Sequence, residues 1–305
     1  MSQVKTKLQT ALQQWQRRFV ILVPYLWFIL FLMIPFLFVL RISFSIPADS
    51  IPPISPLLVI KDQTISIMLH FSNYLFMIEH NVFFIAVFNS IKMAFITTIL
   101  CILIGYPMTL AIVRTNNTTR KLLLMLIIIP YWTSFLLRAY AWVTVLQNNG
   151  IINQFLNWLG FNSLPLIYNN FSAYLGLLYG YLPFFILPLY ATLIKMDRTL
   201  EDAAADLGAK PVTTFFKIIL PLSIPGLLAG SLLVFIPAVG EVIIPQILGG
   251  LNTVMVGNVI WQEFFTAQNW GVASALAVVL LILLIFPIIL LQRIQQKQTS
   301  FSTER

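Results

Sequence analysis

The sequence predicts an all-α membrane protein with six transmembrane helices and both termini in the cytoplasm. This prediction depends on the composition, on six long apolar segments, and on the uneven distribution of lysine and arginine. Of the 305 residues, 59% are hydrophobic and only 9% are charged, and the mean hydropathy is +0.90. Such a chain has too few polar side chains to cover a soluble globular protein, so lipid is its expected solvent.

The apolar segments have the length that a membrane requires. A hydrocarbon core about 30 Å thick is crossed by roughly 20 helical residues. The six segments that reach this length are 19–40, 93–113, 122–146, 174–194, 224–248 and 272–291. The apolar stretch before the second segment begins at Phe83. We interpret its first part as an interfacial lead-in whose Lys92 reaches toward the membrane surface.

Lysine and arginine concentrate at one end of these segments. Fourteen of the eighteen lie in the N-terminus, the second loop, the fourth loop and the C-terminal tail, so the positive-inside rule places these regions in the cytoplasm. The outer loops 147–172 and 249–270 contain none. The long first outer loop holds Arg41 and Lys61, and its four prolines predict an extended or irregular early part.

Three regions follow from this topology. Residues 1–92 are an N-terminal span with a long outer loop, 93–291 are the core transmembrane domain with the cytoplasmic loop 195–221, and 292–305 are a cytoplasmic tail. The net charge of +8 does not indicate nucleic-acid binding, because the basic residues are scattered between apolar runs. The single cysteine lies in an apolar run and the two histidines are ten residues apart, so no disulfide, metal site or bound cofactor is predicted.

Two pairs of glycines have a spacing that suits close helix contact. Gly176 and Gly180 lie in the fourth segment, and Gly226 and Gly230 lie in the fifth. Each pair places two small residues on one helix face, so we expect neighbouring helices to approach closely there.

The fourth loop, residues 195–221, predicts two short helices. Thr199 and Asp202 have the spacing of a capping box that begins the first helix. Gly208 supplies the turn after it, and the second helix runs from Pro211 to Pro221. Apolar stripes are formed by Leu200, Ala203, Ala204 and Leu207 on the first helix and by Val212, Phe215, Phe216 and Ile219 on the second. Such a pair suits docking into a groove of a partner protein, and it also suits an amphipathic elbow on the membrane.

The spacing within this loop resembles the motif E-A-A-x3-G-x9-I-x-L-P of ABC-importer permease subunits. Its fixed points here are Asp202, Ala203, Ala204, Gly208, Ile218, Leu220 and Pro221. Asp202 stands where the family usually has glutamate, so the carboxylate is kept on a shorter side chain. The resemblance assigns these residues, together with Glu201, to coupling with an ATPase subunit, and it favours docking over the membrane elbow.

Four further segments resemble the spermidine/putrescine permeases of the PotB and PotH type, nearest the putrescine branch. They are PYWT at 130–133, LRAYAW at 137–142, FIPAVGE at 235–241 and WQEFF at 261–265. The likeness extends over about 93–291. It implies a type I (MetI-like) permease fold in a bacterial inner membrane. It does not separate putrescine from spermidine, because the external binding protein would read most of the difference in chain length.

The resemblance also implies partners. They are a second, homologous permease subunit, two ABC ATPase subunits at the cytoplasmic loop, and an external polyamine-binding protein. The chain has no G-x-x-x-x-G-K-[ST] phosphate loop, so it is not predicted to be an enzyme, and the partner ATPase would use ATP and Mg²⁺. Two alternatives remain open: an ABC permease for another solute, such as ferric iron or an anion, and an ATP-independent carrier or channel.

Two charged residues are candidates for the substrate path. Glu241 is the only acidic residue within a predicted span, and Gly240 beside it loosens the helix. Arg138 is the only deeply placed basic residue. Counted along straight helices from the cytoplasmic ends, the two lie at roughly 26 and 24 Å. Glu241 is therefore either a contact for a polycationic substrate or the ion-pair partner of Arg138.

Aromatic and acidic residues nearer the outer surface complete the candidate path. Trp132, Tyr140 and Trp261 offer aromatic faces for cation–π contact, although an aromatic belt at the membrane surface explains them equally well. Glu263 is the sole charged residue in the last outer loop. It suits reception of a cation or docking of the binding protein, and the alternative is an ordinary solvated charge.

Overall fold

The computed structural model describes residues 20–48, 55, 58–61, 64–67, 69–250 and 253–303. The basic residues of the N-terminus, three of the four loop prolines and the last arginine lie outside these ranges. In chain order, the elements are α1 (Val20–Ser43), β1 (Leu58–Lys61), β2 (Thr64–Ile67), α2 (Ser72–Glu79), α3 (Asn81–Arg114), α4 (Asn117–Ile128), α5 (Phe135–Leu146), α6 (Ile151–Trp158), α7 (Asn170–Leu193), α8 (Thr199–Asp206), α9 (Pro211–Val239), α10 (Ile243–Leu248), α11 (Val256–Trp261) and α12 (Trp270–Thr303).

Within the described ranges, five helices are long and apolar enough to cross a membrane. They are α1, α3, α7, α9 and the first part of α12, and α4 with α5 and α6 forms a bent pair that makes a sixth crossing if it is counted as one span. The predicted number of six segments therefore agrees with the structure. The first and fourth predicted segments coincide with helices to within a few residues, and the sixth coincides with the apolar span Trp270–Ile289 at the start of α12.

The second predicted segment is shorter than the helix that contains it. Helix α3 runs without a break for 34 residues from Asn81 to Arg114, so the span does not begin as a separate helix near residue 93, and the interfacial position of its first part stays a prediction. At 1.5 Å per residue this helix is about 51 Å long and exceeds the hydrocarbon core. Lys92 is an exposed residue inside the continuous helix and not at its start.

The third predicted segment is not one straight helix. Helix α4 tightens into a 3₁₀ turn at Ile129–Trp132, Thr133 is extended (φ −86°, ψ 155°), and the chain bends by 95° before α5. Pro130 removes an amide from the turn, and the Thr133 hydroxyl donates to the Pro130 carbonyl oxygen at 2.7 Å. A depth for Arg138 counted along a straight span is therefore wrong.

The fifth predicted segment is also interrupted. Helix α9 ends at Val239, and the short helix α10 begins only at Ile243. Gly240 lies at this break, in agreement with the expectation that it loosens the helix. Glu241 thus lies between two helices and not within one.

The described residues form two compact groups. One comprises those up to Glu79 together with Glu263–Val279, and the other comprises His80–Gln262 together with the residues from Leu280 onward. In the first group the side-chain amide of Asn73 donates to the carbonyl oxygens of Ser43 (2.9 Å) and Ser45 (2.8 Å), which fastens α2 to the end of α1. The strands β1 and β2 form an antiparallel hairpin, a small departure from the all-α prediction.

The core of the second group lies where α3, α7 and α9 meet. The phenyl ring of Phe185 is fully buried there. A Cβ at Gly105 on α3 would lie 2.6 Å from this ring, and a Cβ at Gly230 on α9 would lie 2.7 Å from the Phe185 carbonyl oxygen. Only glycine permits such close approach, so the predicted contact through Gly226 and Gly230 is confirmed.

Only one of the two paired glycines of α7 is needed for close packing. A Cβ at Gly176 would lie 2.6 Å from the Leu248 side chain, whereas the nearest atom to a Cβ at Gly180 is 3.8 Å away. Gly176 is therefore a close-packing position, and Gly180 has space for a methyl group.

We expect Gly230→Ala to lower the free energy of unfolding by about 1–3 kcal/mol, because the added methyl group forces α9 away from the α7 backbone. Gly180→Ala is the matched control and should change it by less than about 1 kcal/mol. Unfolding of the purified chain in mixed micelles measures both. Equal effects of the two substitutions would contradict the packing described above.

Candidate functional site

The 195–221 loop begins with a helix whose cap differs from the prediction. The backbone N–H of Thr199 donates to the carboxylate of Asp197 at 3.0 Å, and Thr199 is already the first residue of α8. The capping box of Thr199 with Asp202 is therefore wrong. Hydrogen bonding from Thr199 favours the ionised carboxylate and holds the pKa of Asp197 below its usual value.

The turn between the two helices agrees with the sequence analysis. Gly208 has φ +77°, with no atom near the position of a Cβ, and Pro211 occupies the first position of α9. The second helix does not end at Pro221. The N–H of Leu220 donates to the carbonyl oxygen of Phe215, five residues back, so a π turn replaces the α-helical pattern just before the proline. The loop helix and the fifth span are consequently one helix.

Several large apolar side chains are exposed on the surface of the loop. Ala204 and Ile219 were predicted to belong to the apolar stripes of the two helices. Both are buried within the protein, so they do not contribute to the exposed surface. Leu207, Val212 and Phe216 are 88%, 67% and 60% exposed. The motif residues with exposed positions are Asp202, Ala203, Gly208 and Pro221, whereas Glu201, Ile218 and Leu220 are half-buried. The loop therefore presents motif residues and large apolar side chains on one continuous stretch of chain.

Two arginines fasten this loop to the end of α3. Arg114 forms an ion pair with Glu201 (Nη2 to Oε2, 3.0 Å), and the Arg198 guanidinium donates to the Val113 carbonyl oxygen at 2.8 Å. The second interaction satisfies one of the carbonyl groups left free at a helix end. Neither contact was predicted, because the partners are more than 80 residues apart in sequence.

The break after α9 is organised around the carboxylate of Glu241. Its Oε1 accepts hydrogen bonds from the backbone N–H groups of Val242 (3.2 Å) and Ile243 (3.0 Å), so it caps α10. Its Oε2 accepts from the hydroxyl of Tyr181 on α7 at 2.5 Å. The residue is half-buried, and both carboxylate oxygens are engaged by neutral donors.

Helix α11 closes the other side of this break. The side-chain amide of Asn258 donates to the Val242 carbonyl oxygen at 2.8 Å. A Cβ at Gly257 would lie 2.5 Å from the carbonyl oxygen of Gly240, so only glycine fits there. Tyr181, Gly257 and Asn258 were missed by the sequence analysis, since no local pattern relates them to Glu241.

Arg138 is not the partner of Glu241. Its guanidinium carbon lies 4.2 Å from the centroid of the Tyr131 ring and 5.5 Å from that of Phe135. Its Nε and Nη1 are buried and have no hydrogen-bond partner among the residues that the structure describes. Arg138 and Glu241 form no ion pair, because the bend before α5 redirects Arg138 and Tyr181 occupies the carboxylate. The ion-pair alternative is therefore wrong.

The remaining candidates lie in exposed positions or in a separate turn. Trp132 and Tyr140 are 82% and 59% exposed, and Trp261 is 51% exposed at the end of α11. Glu263 lies in a π turn at Gln262–Thr266, where burial raises the pKa of its carboxyl group above the usual value.

The sequence matches a known protein family. The family described as "Binding-protein-dependent transport system inner membrane component" matches residues 101–300. The chain belongs to this family. It is thus a permease subunit of the inner membrane, which makes it a multi-pass transport protein and not itself an enzyme.

This permease is similar to proteins named "Spermidine/putrescine transport system permease protein PotB". The protein of Escherichia coli K12 is 33% identical over 260 residues, covering 85% of this chain and 90% of its own length. That of Haemophilus influenzae Rd is 43% identical over 205 residues, covering 66% and 72%. The resemblance inferred from the sequence is confirmed. The narrower assignment to the putrescine branch stays a prediction, since these relatives are named for both polyamines.

Solved structures of other ABC transporters share the fold of the permease. A chain of the bacterial alginate ABC transporter, in complex with alginate pentasaccharide-bound periplasmic protein, matches with a TM-score of 0.69 at 14% identity, covering 94% of this chain and 96% of that chain. A chain of the inward-facing MetNI methionine ABC transporter matches with a TM-score of 0.52 at 20% identity, covering 70% and 94%. The predicted type I permease fold is thereby confirmed.

We expect Gly208→Ala to loosen the first helix of the loop. A left-handed backbone costs a residue with a Cβ roughly 1–2 kcal/mol, so amide hydrogen exchange in α8 should become about tenfold faster. Hydrogen exchange with mass spectrometry measures this in the full chain.

Gly160 provides a matched control, because it has φ +85° and also has no atom near a Cβ position. Gly160→Ala should accelerate exchange in its own turn only. Unchanged protection of α8 in Gly208→Ala would contradict the role given to this turn.

Proposed function

We propose that this permease is a membrane subunit of an ATP-driven importer of polyamines, putrescine or spermidine or both. The observation that carries the proposal is the carboxylate of Glu241, which lies half-buried at a helix break and, within the described part of the chain, accepts hydrogen bonds from neutral donors only. A polycation that leaves water needs a carboxylate to replace its hydration. The similarity to permeases named for spermidine and putrescine supports the same class of substrate.

In this proposal the importer has further subunits. A second, homologous permease completes the path, two ATPase subunits dock on the 195–221 loops and use ATP and Mg²⁺, and an external binding protein delivers the polyamine. Both termini and the loop lie in the cytoplasm. The exposed Leu207, Val212 and Phe216 supply an apolar surface for the ATPase. Because α9 is continuous from Pro211 to Val239, movement of the docked loop reaches the break beside Glu241.

The remaining candidate residues have separate roles in the proposed path. Tyr181 holds the Glu241 carboxylate in place, and the aromatic faces of Trp132, Tyr140 and Trp261 provide cation–π contacts. Glu263 receives the cation on the outer side. Arg138 carries the same sign of charge as the substrate, so we assign it to the wall of the path.

An anion permease is the second candidate function. The observation that favours it is the guanidinium of Arg138, whose buried Nε and Nη1 have no hydrogen-bond partner in the described ranges. In that case Arg138 would contact the solute, and uptake would depend on Arg138 instead of Glu241.

We expect Glu241→Gln to reduce polyamine uptake at least about tenfold, a change equivalent to about 1.4 kcal/mol. Glutamine keeps the side-chain oxygen that caps α10 but removes the negative charge, so the chain should still assemble in the membrane. Uptake of radiolabelled putrescine and spermidine into cells that carry the whole importer measures the effect.

Arg138→Gln is the companion variant. If Arg138→Gln abolishes uptake while Glu241→Gln transports at the parental rate, the polyamine assignment fails and the anion permease is favoured. Membrane abundance of both variants, determined by immunoblot, separates loss of transport from loss of protein.

Docking of the ATPase gives a second test of the proposal. Leu207→Asp places a charge on the exposed apolar surface and should abolish copurification of the ATPase subunit with the permease. Leu159→Asp is a matched control, because Leu159 is also exposed and also precedes a glycine with positive φ. Retained ATPase in Leu207→Asp, or equal loss in both variants, would exclude docking on this surface.

A further inference from the structure

A cavity of about 530 Å³ lies at the face of the second compact group that the charge distribution predicts to be cytoplasmic. It is open to solvent on one side and is lined by the end of α3, the start of α4, the end of α7 and the start of α8. A water molecule takes about 30 Å³ in the liquid, so the cavity has space for a much larger group. The proposed import cycle assigns no ligand to this cavity, although Arg198 and Glu201 of its lining belong to the 195–221 loop.

The charged lining of the cavity is strongly unbalanced. Arg114, Arg120 and Arg198 face a single acidic residue, Glu201, so the lining has a net charge of +2. Glu201 pairs with Arg114, and no carboxylate among the described residues pairs with the other two guanidinium groups. This excess of positive charge favours an anionic ligand.

The two unpaired guanidinium groups meet at one neutral oxygen. Arg120 and Arg198 both donate to the carbonyl oxygen of Val113, at 2.9 and 2.8 Å. Arg120 also donates to the carbonyl oxygen of Thr115, and its buried Nε has no hydrogen-bond partner in the part of the chain that is described. Two positive charges are thus held next to each other by backbone dipoles, an arrangement that a bound anion would stabilise.

The start of α4 adds to the positive potential. Thr115, Asn116 and Asn117 line the cavity, and the Asn116 side chain caps the 12-residue helix by accepting from the Thr119 N–H at 2.8 Å. The N-terminal end of a helix carries partial positive charge, and this end borders the arginines.

The remaining lining indicates which anion fits. Its apolar members come from the ends of α3 and α7 and from the residues that follow, and they are Leu110, Val113, Leu193, Ile194 and Met196. A site with arginines on one side and span residues on the other matches a phosphate group that is attached to a hydrocarbon. The planar fork of arginine binds phosphate oxygens through two parallel hydrogen bonds.

We propose that this cavity is a phosphate-binding site occupied by the headgroup of an anionic phospholipid of the inner membrane. The bound headgroup lies between the end of α3 and the first turn of α8, so it joins the membrane surface to the 195–221 loop. The site is independent of the transported solute.

The test measures retention of lipid by the full chain. The purified protein is incubated with dioleoylphosphatidylglycerol or dioleoylphosphatidylcholine and examined by native mass spectrometry, and inorganic phosphate is added in a separate arm. We expect retention of phosphatidylglycerol at least about tenfold above phosphatidylcholine. Equal retention of the two lipids overturns the proposal. If inorganic phosphate displaces the bound lipid and phosphatidylglycerol is not preferred over phosphatidylcholine, the cavity binds free phosphate and the proposed lipid site is excluded.

Two variants change the charge of the cavity, a third serves as control, and all of them keep Arg120 and Arg198, which bind the carbonyl oxygen of Val113 at the end of α3. Arg114→Gln should lower the retention of phosphatidylglycerol about tenfold, whereas Glu201→Gln should raise it, because the net charge changes in opposite directions. Lys121→Gln is the matched control, since it removes a neighbouring exposed charge that does not line the cavity, and it should leave retention unchanged.

The outcomes of these variants are separable. An equal loss in Arg114→Gln and Lys121→Gln reveals general attraction to the membrane and overturns the proposal. If Arg114→Gln keeps the lipid but no longer copurifies with the ATPase, the arginines serve a protein contact and the lipid site is excluded.

Discussion

The dominant constraint on this chain is that backbone N–H and C=O groups inside a membrane must find partners within the protein. Two of its spans are broken, and each break exposes backbone groups that a continuous helix would have satisfied. After α9 the carboxylate of Glu241 accepts from the amide of Val242 in the linking segment and from that of Ile243, the first residue of the next helix, and Asn258 donates to the Val242 carbonyl oxygen. The break therefore persists because side chains replace the missing helical hydrogen bonds. The same carboxylate is the negative group on which the proposed substrate path depends.

Continuity matters as much as the breaks. Pro221 would be expected to end the loop helix, but the π turn before it shifts the hydrogen bonds by one residue and lets α9 continue. Tyr106 and Ser223 share a buried hydrogen bond of 2.7 Å, which joins this helix to α3 just beyond the turn. With Arg114 and Arg198 holding the first helix of the loop, the 195–221 segment is attached to α3 at two levels. A force applied to the loop thus acts on two spans together.

Much of the fold could be predicted from the sequence, because span length, hydropathy and loop charge follow from local composition. The turn at Gly208 and the start of α9 at Pro211 were predicted correctly, since each depends on the backbone preference of one residue. The bend after Pro130 and the break at Gly240 determine which way Arg138 and Glu241 point. A hydropathy profile reveals neither the bend nor the break. An ion pair inferred from equal depth on straight helices was wrong for this reason. Tyr181 could not be found at all, because its relation to Glu241 exists only in three dimensions.

The buried ring of Phe185 has a consequence for how this protein varies in evolution. Gly105 approaches the ring from α3, and Gly230 approaches the ring and its backbone from α9, so three positions on three helices share one small volume. An additional methyl group at Gly105 is compatible with the packing only when the residue at position 185 becomes smaller. Gly230 meets backbone atoms as well, so a smaller residue at 185 does not relieve it. Position 105 should therefore covary with 185, while position 230 should remain glycine whatever its neighbours become.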